Sequence, residues 1–193
     1  MSAGPAAPDR RLFIAVPLAG EAKASLEAWR PAFPARRVRP EDAHVTLCFL
    51  GSIQENRLGG VRAAAGRAFD GASAGAARME GFGLFSDGKK PGVLWAGVTE
   101  GAEGIARLAQ GLREALAREG FPLEARPFLP HVTLARFDAA PAGLKEIIAA
   151  DARFPRGIFP VDRVFLYESR PGPSGSRYSV LDLWRLPHVG TIG

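Results

Sequence analysis

The sequence predicts a mixed fold of strands and helices, arranged as one domain of two similar lobes. Three observations carry that expectation. Short apolar, β-rich runs alternate with stretches of helical composition. The series of elements occurs twice, at a spacing of 82 to 87 residues, far longer than a solenoid period. Each half also carries the same tetrapeptide, His44-Val45-Thr46-Leu47 and His131-Val132-Thr133-Leu134.

The elements follow in order. Leu12 to Val16 (LFIAV) is an apolar run bounded by Arg and Pro, the pattern of a buried strand. Glu21 to Trp29 is helical in composition and stops before Pro31. His44 to Leu50 is β-branched and aromatic, and Gly51 is expected to end it. Asn56 to Phe69 places Leu58, Val61, Ala65 and Phe69 at helical spacing. Met79 to Phe85 and Val93 to Val98 read as strands joined by the turn-rich SDGKKPG. Glu103 to Glu119 is the clearest helix, with Ile105, Leu108, Leu112 and Leu116 in one stripe and Gly120 as its stop. His131 to Phe137 is a strand, Leu144 to Ala150 a short helix, and Val161 to Glu168 and Tyr178 to Leu186 close as strands. The tract RPGPSGS between the last two has the composition of a mobile hairpin loop. No Pro/Gly-rich linker separates the halves near Glu100. The expected organisation is a flexible tail over 1–9, one bilobal domain over 10–187 and a second tail over 188–193.

Composition sets the bounds. In 193 residues, 47% are hydrophobic and twelve are Phe, which excludes a disordered chain. The single Cys excludes a disulfide framework or a Cys-rich zinc module and fits a reducing compartment. No signal-peptide pattern opens the chain, and no run approaches the roughly 20 apolar residues of a membrane span. A cytoplasmic, non-membrane protein is expected. The net charge of +5 favours anionic partners, although an Arg-rich, Ala-rich composition also arises from genome bias.

Chemistry concentrates in the two tetrapeptides. The chain has three His, and two of them have Thr at the second following position, a coincidence on the order of one in a thousand by chance. Residues i and i+2 of a strand share a face, so His and Thr point one way while Val and Leu point into the core. Two such strands from symmetric lobes bring two imidazoles and two hydroxyls to one cleft. That set suits acid/base work on a phosphate. A single His-x-Thr on a strand is more often a satisfied structural pair; the duplication is what shifts the balance. Two His do not complete a zinc site, which takes three or four ligands. No metal is therefore expected. His188, in LPHVGTIG, is expected to be exposed and without a role.

The pattern closely resembles the 2H phosphoesterase superfamily, defined by two His-x-Thr-x motifs, and within it the RNA 2′,3′-cyclic phosphodiesterases, also called 2′-5′ RNA ligases. The resemblance runs through RLFIAVPL, RPEDAHVTLCFLG, GFGLFSDGKKPGVLWAGV, RPFLPHVTLARF, VFLYES and YSVLDLWRL. It implies an α+β fold of two pseudo-symmetric lobes, each with an antiparallel sheet and outer helices, around a central groove. It implies no cofactor. It assigns His44 as proton donor and His131 as proton acceptor, with Thr46, Thr133 and Arg136 on the phosphate. Strict alternation sends Arg136 to the face opposite His131, so a bulge is needed for it to reach the groove. The implied substrate is RNA or a nucleotide with a 2′,3′-cyclic phosphate end, opened to a 2′-phosphate by a monomer, with reversible 2′-5′ RNA ligation beside it. A non-catalytic RNA-binding module and a phosphodiesterase of small cyclic phosphates, such as that of ADP-ribose, are the alternatives.

Two positions depart from the family. Cys48 stands where the family usually has Lys, and by parity it shares the face of His44 and Thr46, as a groove residue or a buried inert thiol. Val38-Arg39-Pro40 replaces the aromatic often found before the first motif. Lys89, Lys90, Arg36, Arg37 and Arg39 are candidates for a basic rim, and Phe13, Phe49, Phe82 and Phe128 for base stacking or core.

Overall fold

The computed structural model describes residues 9–85, 92–123, 127–172 and 175–187. Its elements run β1 (Asp9–Pro17), α1 (Gly20–Ala28), β2 (Arg36–Arg37), β3 (His44–Gln54), α2 (Leu58–Phe69), β4 (Ala76–Phe85), β5 (Gly92–Val98), α3 (Ala102–Arg118), β6 (His131–Phe137), α4 (Leu144–Ala149), β7 (Gly157–Pro160), β8 (Arg163–Arg170) and β9 (Arg177–Arg185). The strands form one antiparallel sheet in the order β7-β4-β5-β6-β3-β1-β8-β9, with β2 beside β6. The two motif strands, β3 and β6, meet at its centre through a single registered pair, Val45 with Val132.

The sheet is symmetric about that seam, but the halves of the sequence do not own its two sides. β3 and β1 are completed by β8 and β9 from the end of the chain, while β6 and β5 are completed by β4 from the first half and by β7. Each lobe thus holds a strand contributed by the other half. The helices cross as well. α1, which connects β1 to β3, packs against β7; α3, which connects β5 to β6, packs against α2 and β3. The indole N–H of Trp29, just past α1, donates to an Asp151 carboxylate oxygen at 2.9 Å and pins the crossing.

Local sequence explains the elements. The α3 stripe of Ile105, Leu108, Leu112 and Leu116 is buried, and truncating one such Leu to Ala costs about 2–5 kcal/mol. Gly120 (φ +72) ends the helix, and Gly101 (φ +75) precedes it where a Cβ would collide with the Ala76 carbonyl. β1, in the middle of one lobe, is a buried apolar run from Leu12 to Val16, whereas its neighbour β8 alternates buried Val164, Leu166 and Glu168 with half-buried residues.

The strand boundaries differ from expectation at a few points. Gly51 does not end β3. Its φ of +71 accommodates a bulge, in which Leu12 pairs with Gly51 and Phe13 with Phe49, and the strand continues to Gln54. Asp9, assigned to the tail, pairs with Gln54 at the start of β1. Val161 lies between β7 and β8 rather than in a strand. The short strands β2 and β7 carry too few residues to show a period. Residues 1–8 and 188–193, Lys89 and Lys90 with the rest of 86–91, and residues 173–174 within the RPGPSGS tract lie outside the described residues. No helix among the described residues is long and apolar enough to cross a membrane.

Candidate active site

The alternation expected of the motifs is present in both. Val45, Leu47, Val132 and Leu134 are buried in the core, and His44, Thr46, His131 and Thr133 line one groove of about 560 Å³ on the other face. The antiparallel sense around the Val45–Val132 pair carries His44 toward Thr133 and Thr46 toward His131. The four side chains are brought together.

Both imidazoles are held in the same way. His44 Nδ1 lies 2.6 Å from the Asp42 carbonyl oxygen, and His131 Nδ1 lies 2.7 Å from that of Leu129. A carbonyl can only accept, so each Nδ1 carries the proton and donates it. Each neutral ring therefore keeps its Nε2 lone pair for a ligand. The rings are packed by different aromatics. His44 stacks on Phe13 (4.8 Å between centroids) and meets Tyr178 edge-on at 5.5 Å, with Tyr167 at 5.9 Å. His131 meets Phe85 edge-on at 5.2 Å and Trp95 at 5.6 Å. Burial disfavours the charged imidazole in both. His44 is pushed down to about 4, chiefly by desolvation, with lesser contributions from the His131 and Arg136 charges against the carbonyl bond that raises it. His131 is lowered by desolvation, again opposed by its carbonyl bond.

A matched pair of bulges decides what stands beyond the threonines. In β3, Ala15 pairs with Thr46 and Ile14 with Cys48, leaving Leu47 extra; in β6, Trp95 pairs with Thr133 and Leu94 with Ala135, leaving Leu134 extra. One inserted residue reverses the parity of everything after it. Arg136 thereby returns to the face of Thr133 and lines the groove, as the resemblance required. The same shift overturns the parity reading of Cys48. Its side chain is buried in the core, Sγ–H donating weakly to the Phe49 carbonyl at 3.6 Å, and it does not line the groove. Phe49 does, 61% exposed, at the position in β3 that corresponds to Arg136 in β6.

The remaining candidates divide. Arg36 pairs with Asp138 at 3.1 Å, and Arg37 is spent on the carbonyls of Leu26 and Trp29, at 2.9 and 2.7 Å, closing the end of α1. Arg39 pairs with Asp42 at 2.5 Å. Phe13 is the floor under His44, whereas Phe82 and Phe128 pack against the core. Asp42, not apparent as a site residue from the sequence, lines the groove, its charge met by Arg39. Tyr167, Tyr178, Trp95 and Phe85 were also missed as site residues, because only tertiary packing brings them to the histidines. Among the described residues no group of three or more His, Cys, Asp or Glu is placed to hold a metal ion.

A family model described as the 2′-5′ RNA ligase superfamily matches residues 17–173. The chain is 32% identical over 176 residues to the RNA 2′,3′-cyclic phosphodiesterase of Thermotoga maritima, covering 89% of this chain and 92% of the relative. It is 37% identical over 190 residues to the protein of that name from Thermus thermophilus, covering 91% and 90%. Its fold is similar to that of Escherichia coli LigT in apo form, with a TM-score of 0.72 and 28% identity over 93% of this chain and 99% of the other. LigT is also known in complex with 3′-AMP.

Proposed function

The chain belongs to the 2′-5′ RNA ligase superfamily, and from that premise we propose that it opens RNA and nucleotide 2′,3′-cyclic phosphates to 2′-phosphates. The observation that carries the reading is the pair of imidazoles, each fixed through Nδ1 and each offering Nε2 to one groove that also holds Arg136.

Ring opening at the 3′ side forms a bond from water oxygen to phosphorus and breaks the bond from phosphorus to O3′. His131 Nε2 takes the proton from the attacking water, and protonated His44 gives its Nε2 proton to the departing O3′. The Thr46 and Thr133 hydroxyls and Arg136 hold the non-bridging oxygens, hydrogen bonds to a charged group worth about 1.5–3 kcal/mol each. Symmetry alone does not choose between the rings; His44 as acid and His131 as base follow the family resemblance. In the resting protein both rings favour the neutral form, so His44 acquires its proton with the substrate. A bound cyclic phosphate neutralises Arg136, one of the charges that oppose His44 protonation, and supplies a counter-anion itself. With a 5′-hydroxyl RNA end attacking phosphorus in place of water, the same steps break the bond to O3′ and join the two ends through a 2′-5′ bond.

On this reading residues 10–187 act as one bilobal unit, working as a monomer in the cytoplasm without a metal or organic cofactor. The deciding assay is release of 2′-phosphate from a dinucleotide bearing a 2′,3′-cyclic end, in the presence of EDTA. Full turnover is expected; inertness would sink the reading, and activity that returns only with an added metal would replace the two-histidine mechanism.

A further inference from the structure

The charged residues of the groove are unevenly employed. Arg39 is paired with Asp42, and Arg10 and Arg170 both hold the buried carboxylate of Glu168. Among the described residues, Arg136 and Arg11 have no carboxylate partner. Arg136 stands beside the catalytic pair. Arg11 stands at the other end of the same groove and also lines an adjoining hollow of about 430 Å³.

The strand register defines what surrounds it. Phe13, the floor under His44, and Arg11 are two residues apart on β1 and share a face, so Arg11 lies roughly 7 Å further along. Arg11 pairs with Ser52 on β3. On β8 the antiparallel run of Phe13 with Tyr167 and Leu12 with Glu168 brings Ser169 alongside, and Ser169 pairs with Tyr178. The Arg11 charge acts on the Tyr178 hydroxyl. Ser176 closes the groove at this end. A cation is thus ringed by hydroxyls, each able to donate to an anion. The acids nearby are Asp9 on the hollow's rim, Glu168, which is only 6% exposed and held by two arginines, and Glu55, which is paired to Arg10.

Resting on the cyclic-phosphate reading above, we propose that Arg11, with Ser169 and Ser176, binds an internucleotide phosphate upstream of the cyclic end of an RNA chain. The chain leaves the catalytic pair across the exposed Phe49 ring, on which a base stacks, and its backbone turns down onto Arg11. The site selects oligonucleotide ends over mononucleoside cyclic phosphates.

The test is the ratio of kcat/KM for a trinucleotide with a 2′,3′-cyclic end to that for a mononucleoside 2′,3′-cyclic phosphate. Arg11→Gln should lower this ratio about tenfold, as expected for loss of one exposed charge-assisted phosphate contact, and Arg11→Lys should restore part of it. Methylphosphonate linkages in the trinucleotide, which remove the upstream charge, should lower the wild-type ratio and leave the Arg11→Gln ratio where it was. A wild-type ratio near one, or a ratio that Arg11→Gln does not move, overturns the proposal while the phosphodiesterase reading stands. A wild-type protein that turns over neither substrate removes both.

Discussion

Lowering the pH of the ligand-free protein tests the packing around His44 directly. To be charged there, an imidazole must be protonated among Phe13, Tyr167 and Tyr178, with Arg136 and His131 nearby. The ring is pushed from the usual 6.5 down to about 4, a penalty of about 3 kcal/mol at 1.36 kcal/mol per pKa unit. Followed by NMR, the His44 ring should stay neutral well below pH 6 and titrate near 4. Inorganic phosphate should move that titration upward, and calorimetry in buffers of differing ionisation enthalpy should show proton uptake on binding. Because kcat/KM reports the free enzyme, its bell should lie on the acid side of 6.5, displaced from the ordinary histidine range. The native ring binds fewer protons than the unfolded one, so its contribution is complete above about pH 6.5 and is lost as pH falls toward 4. A His44 ring that titrates at 6.5 or above without ligand, or phosphate binding that takes up no proton, would mean that this packing does not hold the ring neutral.

Three further outcomes are expected. Ala at His44 or at His131 should each lower kcat/KM by about 10² to 10⁴ without unfolding the protein. A nitrophenyl phosphodiester, whose leaving group needs no acid, should rescue only His44→Ala; rescue of His131→Ala instead would reverse the roles. Arg136→Met should lower kcat/KM roughly 10- to 100-fold, as for loss of a hydrogen bond to a charged group, with Tm unchanged because no carboxylate among the described residues depends on it; a wild-type rate would remove it from the phosphate. Gly101→Ala forces a side chain into φ +75 and against Ala76, and should cost at least about 1–2 kcal/mol in urea unfolding, whereas an unchanged midpoint would contradict the tight turn.

What could be seen in the sequence follows from which rules are local. The two His-Val-Thr-Leu segments were legible because strand parity is a property of two consecutive peptide units, and burial follows it in both. Parity failed three residues further on, since a bulge depends on how the neighbouring strand is registered: Leu47 and Leu134 look like ordinary strand residues until Ile14 and Leu94 are seen to skip them. That omission turned Cys48 inward and Arg136 outward, the reverse of simple alternation for both. The duplication was legible, but the placement of β4 and β8 in opposite lobes was not, because sequence order does not specify sheet order. The aromatic packing of His44 draws on β1, β8 and β9, and no short window contains it.

The exchange of strands between the halves makes the two sides of the groove one folding unit. Each lobe is finished only when segments from the two halves of the chain meet, as when Leu12 pairs with Glu168 and Met79 with Gly157. The closure of Leu12 onto Glu168 spans most of the sequence, so assembly has to order long loops before many of its rewards arrive, which places this topology among slow folders. A break introduced near Glu100 would leave two fragments, each with open sheet edges and neither with a whole lobe. The fragments should remain unstructured alone and regain the groove only on mixing, and in the intact chain the order around His131 on one side and His44 on the other should be lost in a single cooperative transition.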